Sequence, residues 1–540
     1  MRNLLRYYHT LKYLKPAQIY GQIKIRLHKP KTRLLTAPAT NKPEFYWIDP
    51  IIKNSAVTAP NELAFLNQTR DISATTIWSD ASIDKLWLYN LHYFDVINAE
   101  TDSQWQQQLI KRWIRENPAG TGNGWEPYPL SLRIVNWIKW ILAGNNADNE
   151  ILDSLATQAN HLSKRMEIHI QGNHLLANAK ALLFAGLLFQ GSRAQRWLRK
   201  GFNTLRREIS RQILTDGGHV ELSPMYHAII LEDLLDSINM LQAYGKNIPI
   251  AWLTSCNEML HWLKTLTHPD NEIAFFNDAT LGIAPTLMEL NAYHQRLNLQ
   301  SFDRSLTGLT HLTASGYVRA EIAHAVLLTD IAAVGAPYQP GHAHADTLSF
   351  EFSLNQHRLF INSGISTYAV NAQRENQRST CAHNTVTIDE LNSSHVWKSF
   401  RVAQRARVRD KTVTETPTGI IIQASHDGYY KSHKIIHTRL WELTSNTLLI
   451  QDELSGDNQH TIRIFFHLHP GITLGKHDMF NFELINKEKV CFATMTTSHA
   501  CHVADSTYHP GFNISLPNKK LVIETVTALP ARFKTFIQWK

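Results

Sequence analysis

The chain has 540 residues, 43% hydrophobic and 19% charged, with a formal charge of +8. These values describe a globular protein of more than one domain and exclude a disordered chain or a bundle of transmembrane helices. The charge is uneven: ten Lys/Arg, from Arg2 to Lys42, precede the first acidic residue, Glu44, and the remainder balances 44 basic against 46 acidic side chains. A near-neutral body predicts no nucleic-acid partner. The cysteines (Cys256, Cys381, Cys491, Cys501) show no CxxC and no zinc-finger spacing, so reduced thiols are expected.

Residues 1–45 read as a basic arm. Arg2, Arg6, Lys12 and Lys15 interrupt every apolar run, unlike a secretory leader. The expected form is a solvated helix packed on the body, with contact to anionic headgroups or an acidic partner as the alternative. With no export signal read, a cytoplasmic or membrane-associated location is expected.

Residues 46–305 read as helices. Segments 151–168, 195–213 and 252–266 are amphipathic, whereas 173–189 is apolar almost all round and predicts a buried helix. Ser223-Pro224 combines an N-cap with proline at the first helical position, and the helix it opens should stop at Gly245. Repeated antiparallel helix pairs suggest an α/α toroid or a related helical array. In residues 306–540 the pattern changes to strands over 323–328, 347–354, 359–361, 385–388, 419–424, 447–451 and 462–467, which predicts stacked antiparallel sheets. A ligand cleft is expected between the halves.

Several polar residues stand out against these patterns. Gly341 to Phe352 reads as a strand, because Leu348, Phe350, Phe352 and Leu354 recur at every second position. The same face carries His342, His344 and Asp346, and unpaired polar groups there are costly. That marks a catalytic or metal site at the sheet's rim, against the blander reading of a polar cap. His344, His383 and an oxygen from Asp346 or Asn362 would suit zinc. Tyr226 falls in the first turn of its helix, where the dipole lowers the cost of a phenolate; a ring packed on the preceding loop is the equal alternative. Asn173 and His174 open the buried helix, either as N-cap and structural histidine or as donors to a substrate carboxylate. Tyr368, Arg374 and Arg378 follow in the β half, where arginines either sit on the surface or grip an anionic sugar bidentately.

The segments Trp87-Leu-Tyr-Asn-Leu-His-Tyr-Phe94, Glu126-Pro-Tyr-Pro-Leu-Ser-Leu-Arg133, Gly172-Asn-His-Leu-Leu176, Glu221-Leu-Ser-Pro-Met-Tyr-His227, the His342/His344 segment and Ala382-His-Asn-Thr-Val386 occur in that order. Together they resemble the heparinase II/III-like polysaccharide lyases, which include heparin-sulfate and oligoalginate lyases. The resemblance implies an α+β multidomain protein: an incomplete α/α toroid followed by an antiparallel β-sandwich. It implies β-elimination on a uronic-acid-containing acidic polysaccharide. Asn173 and His174 then neutralise the uronate, Tyr226 gives a proton to the leaving oxygen, and His342 is the base or its assistant. Tyr368 lies near a tyrosine that some relatives use in catalysis, and it is expected with Arg133, Arg374 and Arg378 among the substrate contacts. His344 and His383 match the family's metal-binding histidines, which implies one structural dication, zinc or calcium; where an aspartate commonly completes that site, this chain has Asn362. The family default is periplasmic, against the location read from the arm. A glycoside hydrolase using two of Glu126, Glu221, Asp278 and Asp346, and a non-catalytic protein binding acidic polysaccharide, are the alternatives. The particular polymer and endo or exo action stay open.

Overall fold

The structure, a computed structural model, describes residues 2–27, 31–99, 102–300, 304–488 and 490–539. Two helices, α1 (Arg2–Leu11) and α2 (Pro16–Leu27), form the arm. Both are docked: Tyr7 of α1 meets the Trp397 ring edge-on at 5.3 Å, and Gln18 of α2 donates to the Tyr338 carbonyl at 3.1 Å.

The helical half comprises α3 (Lys85–Tyr93), α4 (Ser103–Glu116), α5 (Pro127–Leu142), α6 (Asn149–Arg165), α7 (Gly172–Leu188), α8 (Gly191–Gln212), α9 (Pro224–Ala243), α10 (Ile250–Thr265) and α11 (Leu287–Arg296). One apolar core links Trp87, Trp113, Trp137, Leu182, Leu231 and Trp252. The all-round apolar sequence of α7 fits its place, buried along nearly its whole length. It packs backbone to backbone on α8, because a methyl on Gly186 would lie 2.4 Å from the Leu198 nitrogen. The α9 cap is as expected: the Ser223 hydroxyl accepts from the Tyr226 N–H at 3.2 Å, Pro224 is first in the helix, and Gly245 follows at φ 60°. A small antiparallel sheet over 57–71 departs from the helical reading of this region. Its hairpin turns on Leu66 and Asn67, both at positive φ, without the glycine that usually signals such a turn.

In the β half the described strands pair antiparallel, in sheets of eight, five, four and two strands, with one isolated parallel bridge between Gly364 and His509. Ile436–Leu443 and Thr447–Ser455 bury every second residue, so each shows one face to the core. Trp441 and Ile450 from the eight-stranded sheet, Ile464 and Ile523 from the four-stranded and Phe350 and Phe352 from the five-stranded share one core. The sheets are thus stacked.

The segment from Gly341 departs from the strand expected there. Only Phe350–Leu354 is a strand, while residues 341–349 form a loop with Leu348 at φ 62°. The His344 and Ala345 N–H groups donate to the Asn277 side chain and the Arg378 carbonyl, and the loop meets the end of the strand Ala325–Asp330 at Leu348, whose N–H donates to the Asp330 carbonyl. No described helix is long and apolar enough to cross a membrane. Cys256, Cys381 and Cys501 are not in disulfides; the Cys491 side chain lies outside the described residues.

Candidate active site

A cleft of about 520 Å³ opens between the helical and β halves. Asn173 and His174 reach it from the start of α7 and Tyr226 from the first turn of α9. His342, Tyr368 and Phe400 close it from the β side.

The chain enters α7 through two left-handed residues, Gln171 (φ 67°) and Gly172 (φ 54°). The cap position is Gln171, so Asn173 lies inside the helix and is not its cap. Its N–H donates to Glu221 Oε1 at 3.3 Å, and its buried side-chain Oδ1 has no hydrogen-bond partner. A methyl on Gly172 would lie 2.2 Å from that same Glu221 oxygen, so only glycine fits there. The His174 ring lies tilted against Tyr128 with centroids 4.4 Å apart, and its Nδ1 pairs with Glu167 Oε1 at 3.1 Å. Burial alone would pull this imidazole down, but Glu167 and Glu221 outweigh it and hold it above its ordinary value.

Tyr226 lies 2.9 Å from the Tyr368 hydroxyl, oxygen to oxygen, and its ring stacks on His342 with centroids 3.8 Å apart. The helix N-terminus does not win here. Burial, with Tyr368 and Asp278 adding to it, lifts the phenol well above its ordinary value, so the resting group is a protonated acid.

A buried carboxylate, Asp278, organises the β wall. Its Oδ2 faces His342 Nδ1 at 2.9 Å and its Oδ1 faces His344 Nε2 at 2.8 Å, while Arg374 grips both oxygens. Burial would raise Asp278, but Arg374 and the two histidines hold it well below the usual carboxylate range. A carboxylate only accepts, so His342 carries a proton on Nδ1, and in the neutral imidazole the lone pair is on Nε2, turned away from Asp278. Glu221 Oε2 lies 3.8 Å from that Nε2. Glu221 therefore touches both Asn173 and His342.

The same reasoning fixes the deeper histidines. His383 Nδ1 donates to the Ser379 carbonyl at 2.7 Å, which leaves Nε2 bare. His344 donates through Nε2 to Asp278, which leaves Nδ1 bare, and the two bare nitrogens face one another at 3.1 Å. Burial pulls His344 down to about 4 despite Asp278, so no proton is available to sit between them. A donor atom of Asp346 completes a buried group lying within 4.8 Å. Two imidazole lone pairs and a carboxylate, each held from behind, are the donor set of a transition-metal dication. The Asp346 carboxylate could supply the third donor; the Asn362 amide oxygen already accepts the Asn384 N–H at 3.2 Å.

The arginines do not reach the cleft. Arg133, Arg374 and Arg378 are completely buried and do not line it. Arg133 donates to the carbonyls of His92 and Gly124 and stacks on Trp113; Arg378 donates to the carbonyls of Ala343 and Lys398. They are internal braces, because buried guanidinium groups satisfy their donors on backbone oxygens. Tyr368 does line the cleft.

Other lining groups are not singled out one by one in the sequence, although Tyr89, Tyr93 and Tyr128 fall within segments that carry the family resemblance. Lys53 pairs with Glu232, Lys139 with Asp236, and Lys180 with both Asp233 and Asp236, the last three contacts between 2.5 and 2.7 Å. Tyr89, Tyr93 and Tyr128 add aromatic faces. Asp278 could be found only as one more acid, since no motif surrounds it.

Residues 91–303 match the heparinase II/III N-terminus, and residues 304–540 the heparinase II/III-like C-terminal domain. A heparin-sulfate lyase of Bacteroides stercoris is 25% identical over 423 residues, 70% of this chain and 61% of that protein. Another, of Pedobacter heparinus, is 24% identical over 331 residues, 55% of this chain and 50% of that protein. The chain thus spans less than two thirds of the length of either relative. A crystal structure of heparinase III shares the fold, with a TM-score of 0.67 at 17% identity over 99% of this chain and 88% of that one. Both halves of the molecule match successive parts of one family, and the chain belongs to the heparinase II/III-like proteins.

Proposed function

We propose that this protein is a polysaccharide lyase that cleaves a uronic-acid-containing polymer by β-elimination. The observation that carries this reading is the stacked pair of Tyr226 and His342, a phenol suited to give a proton and an imidazole suited to take one, side by side in the cleft. The C5 proton of a uronate is very weakly acidic while the neighbouring carboxylate keeps its charge. Hydrogen bonds from the Asn173 amide and the His174 imidazole to that carboxylate stabilise the enediolate-like charge as the proton leaves. His342 Nε2 takes the C5 proton, and Asp278 stabilises the resulting imidazolium. Tyr226 gives its proton to the 4-linked oxygen as the C4–O bond breaks. The proton on His342 then returns to Tyr226, and the cycle consumes no water. The product carries a 4,5-unsaturated uronosyl end.

His344, Asp346 and His383 are suited to hold a dication, zinc before calcium because two of the donors are nitrogen. When bound it would supply positive charge that ties the loop carrying His342 to the segment carrying His383. Each lysine in the cleft is already matched by a carboxylate, which supports a substrate charged by carboxylates over a densely sulfated one. Hydrolysis needs two positioned carboxyls, one protonated and one ionised. Asp278 is committed to Arg374 and two histidines, Glu126 to Lys85, and Glu232, Asp233 and Asp236 to lysines, so Glu221, with one unpartnered oxygen, stands without a second free carboxyl among them.

The deciding assay incubates purified protein with glucuronan, alginate, unsulfated glycosaminoglycan and heparan sulfate and follows ultraviolet absorbance. A rise from the conjugated double bond is expected with at least one unsulfated uronate. New reducing ends without that absorbance would mean hydrolysis and end the lyase reading.

A further inference from the structure

The arm is docked the wrong way round for an ordinary surface helix. On α2, Ile19, Tyr20, Ile23 and Leu27 are 50%, 62%, 52% and 83% exposed, whereas Gln18 and Gly21 are buried. At about 100° per residue the four apolar side chains fall within one arc of roughly 100°, and Gln18 and Gly21 lie on the opposite side. A helix stabilised only by its own domain turns its apolar stripe to the core. Here the held face consists of Gln18, Gly21 and the half-buried Ile25, while the four-residue stripe faces out. Gln18 donates to the carbonyls of Ile170 and Tyr338, and Gly21 rides so close to His169 that a methyl would lie 2.9 Å from its backbone nitrogen.

The exposed Lys24 and Arg26 flank the apolar stripe, one on each side. Tyr8 (62% exposed) and Leu11 (54%) of α1 add to the outward apolar surface. No acidic residue occurs before Glu44 to offset the ten cations.

We propose that this face docks the protein on an anionic lipid bilayer, with the α2 stripe entering the interface and Lys24 and Arg26 at the headgroups. Apolar and aromatic side chains flanked by cations on one helix face are what an anionic interface takes up. A second copy of the chain would set cations against cations, and an acidic polysaccharide would leave the aliphatic stripe in water. The inference stands apart from the lyase reading, because none of these residues lines the cleft. Ile170, whose carbonyl anchors Gln18, does line it, so α2 lies beside the cleft.

The test is co-sedimentation of the full chain with vesicles of mixed phosphatidylglycerol and phosphatidylcholine, and with phosphatidylcholine alone. Binding to the mixed vesicles only, weakened by salt, is expected. Ile19→Ser/Ile23→Ser should lower the partition by about tenfold or more, with an unchanged melting temperature because both side chains are exposed. Lys24→Glu/Arg26→Glu should weaken it further at low salt. Absence of binding to the mixed vesicles, or an Ile19→Ser/Ile23→Ser protein that binds as well as wild type, overturns the proposal. So does a wild-type dimer dissolved by the same substitutions, or a polyuronate affinity that falls with them while vesicle binding does not occur.

Discussion

The two walls of the cleft are built on different principles. The helical wall presents its groups from helix starts, where Asn173, His174 and Tyr226 are placed by backbone hydrogen bonds and caps. The β wall has no such element at His342: a loop is wound around one charged atom group, and Asp278 sets the tautomer of two histidines and the position of Arg374. Single changes on the helical wall should therefore cost chemistry and spare the fold. A single change at the centre of the β wall should cost both.

Asp278→Asn should have the largest effect. It leaves a fully buried Arg374 without its partner, a kind of loss that typically costs about 3–5 kcal/mol, and it frees both histidines to rotate. Activity should vanish and the melting temperature fall, read by calorimetry. The pH sign follows from the depressed carboxyl: its stabilisation is present above the unfolded pKa and is lost as pH falls through the folded one. The wild type should thus lose this contribution only below the ordinary carboxylate range, and the variant should lack it at every pH. A variant as stable as wild type would show that the β wall does not depend on this hub.

Tyr226→Phe comes next. Loss of the proton donor should lower turnover by about 10²–10⁴ while the melting temperature stays near that of wild type. Near-normal turnover on a cleaved substrate would transfer the acid role to Tyr368, 2.9 Å away. Asn173→Ala should lower kcat by about 10²–10³ with a smaller change in KM, since its hydrogen bond strengthens as charge develops on the carboxylate. An effect confined to KM would make the amide a binding group only.

The contrast between the walls also explains what could be read from the chain. The helical wall was legible because its signals are local: Ser223-Pro224 declares a helix start, and the apolar run after Asn173 declares a buried helix. The β wall was half legible. Alternation identified His342, His344 and Asp346 as unusual, and all three are buried, but on a loop shaped by contacts to Asn277, Asp330 and Arg378 far away in sequence. Arg133, Arg374 and Arg378 show the limit of reasoning from residue type. An arginine near a site resembles a ligand for an anion, yet these three brace backbone carbonyls and one aspartate inside the protein. The arm shows a different limit, since periodicity identifies the apolar stripe of a helix but not the side on which it docks.

The finest test of the helical wall concerns the charge on His174. Glu167 lies 3.1 Å from its Nδ1 and, against the opposing effect of burial, keeps the imidazole protonated to a higher pH than a free histidine. A protonated His174 is the better partner for the uronate carboxylate, so the alkaline limb of kcat/KM should lie above the ordinary histidine range. Glu167→Gln removes the anion but keeps a side chain able to accept a hydrogen bond, so burial then prevails and the limb should move to lower pH. The acid limb should stay where it is, because Glu167 makes no contact with Asp278 or His342. A profile that keeps its alkaline limb in the variant would mean that His174 serves as a neutral donor, and that the Asn173 amide carries the carboxylate interaction alone.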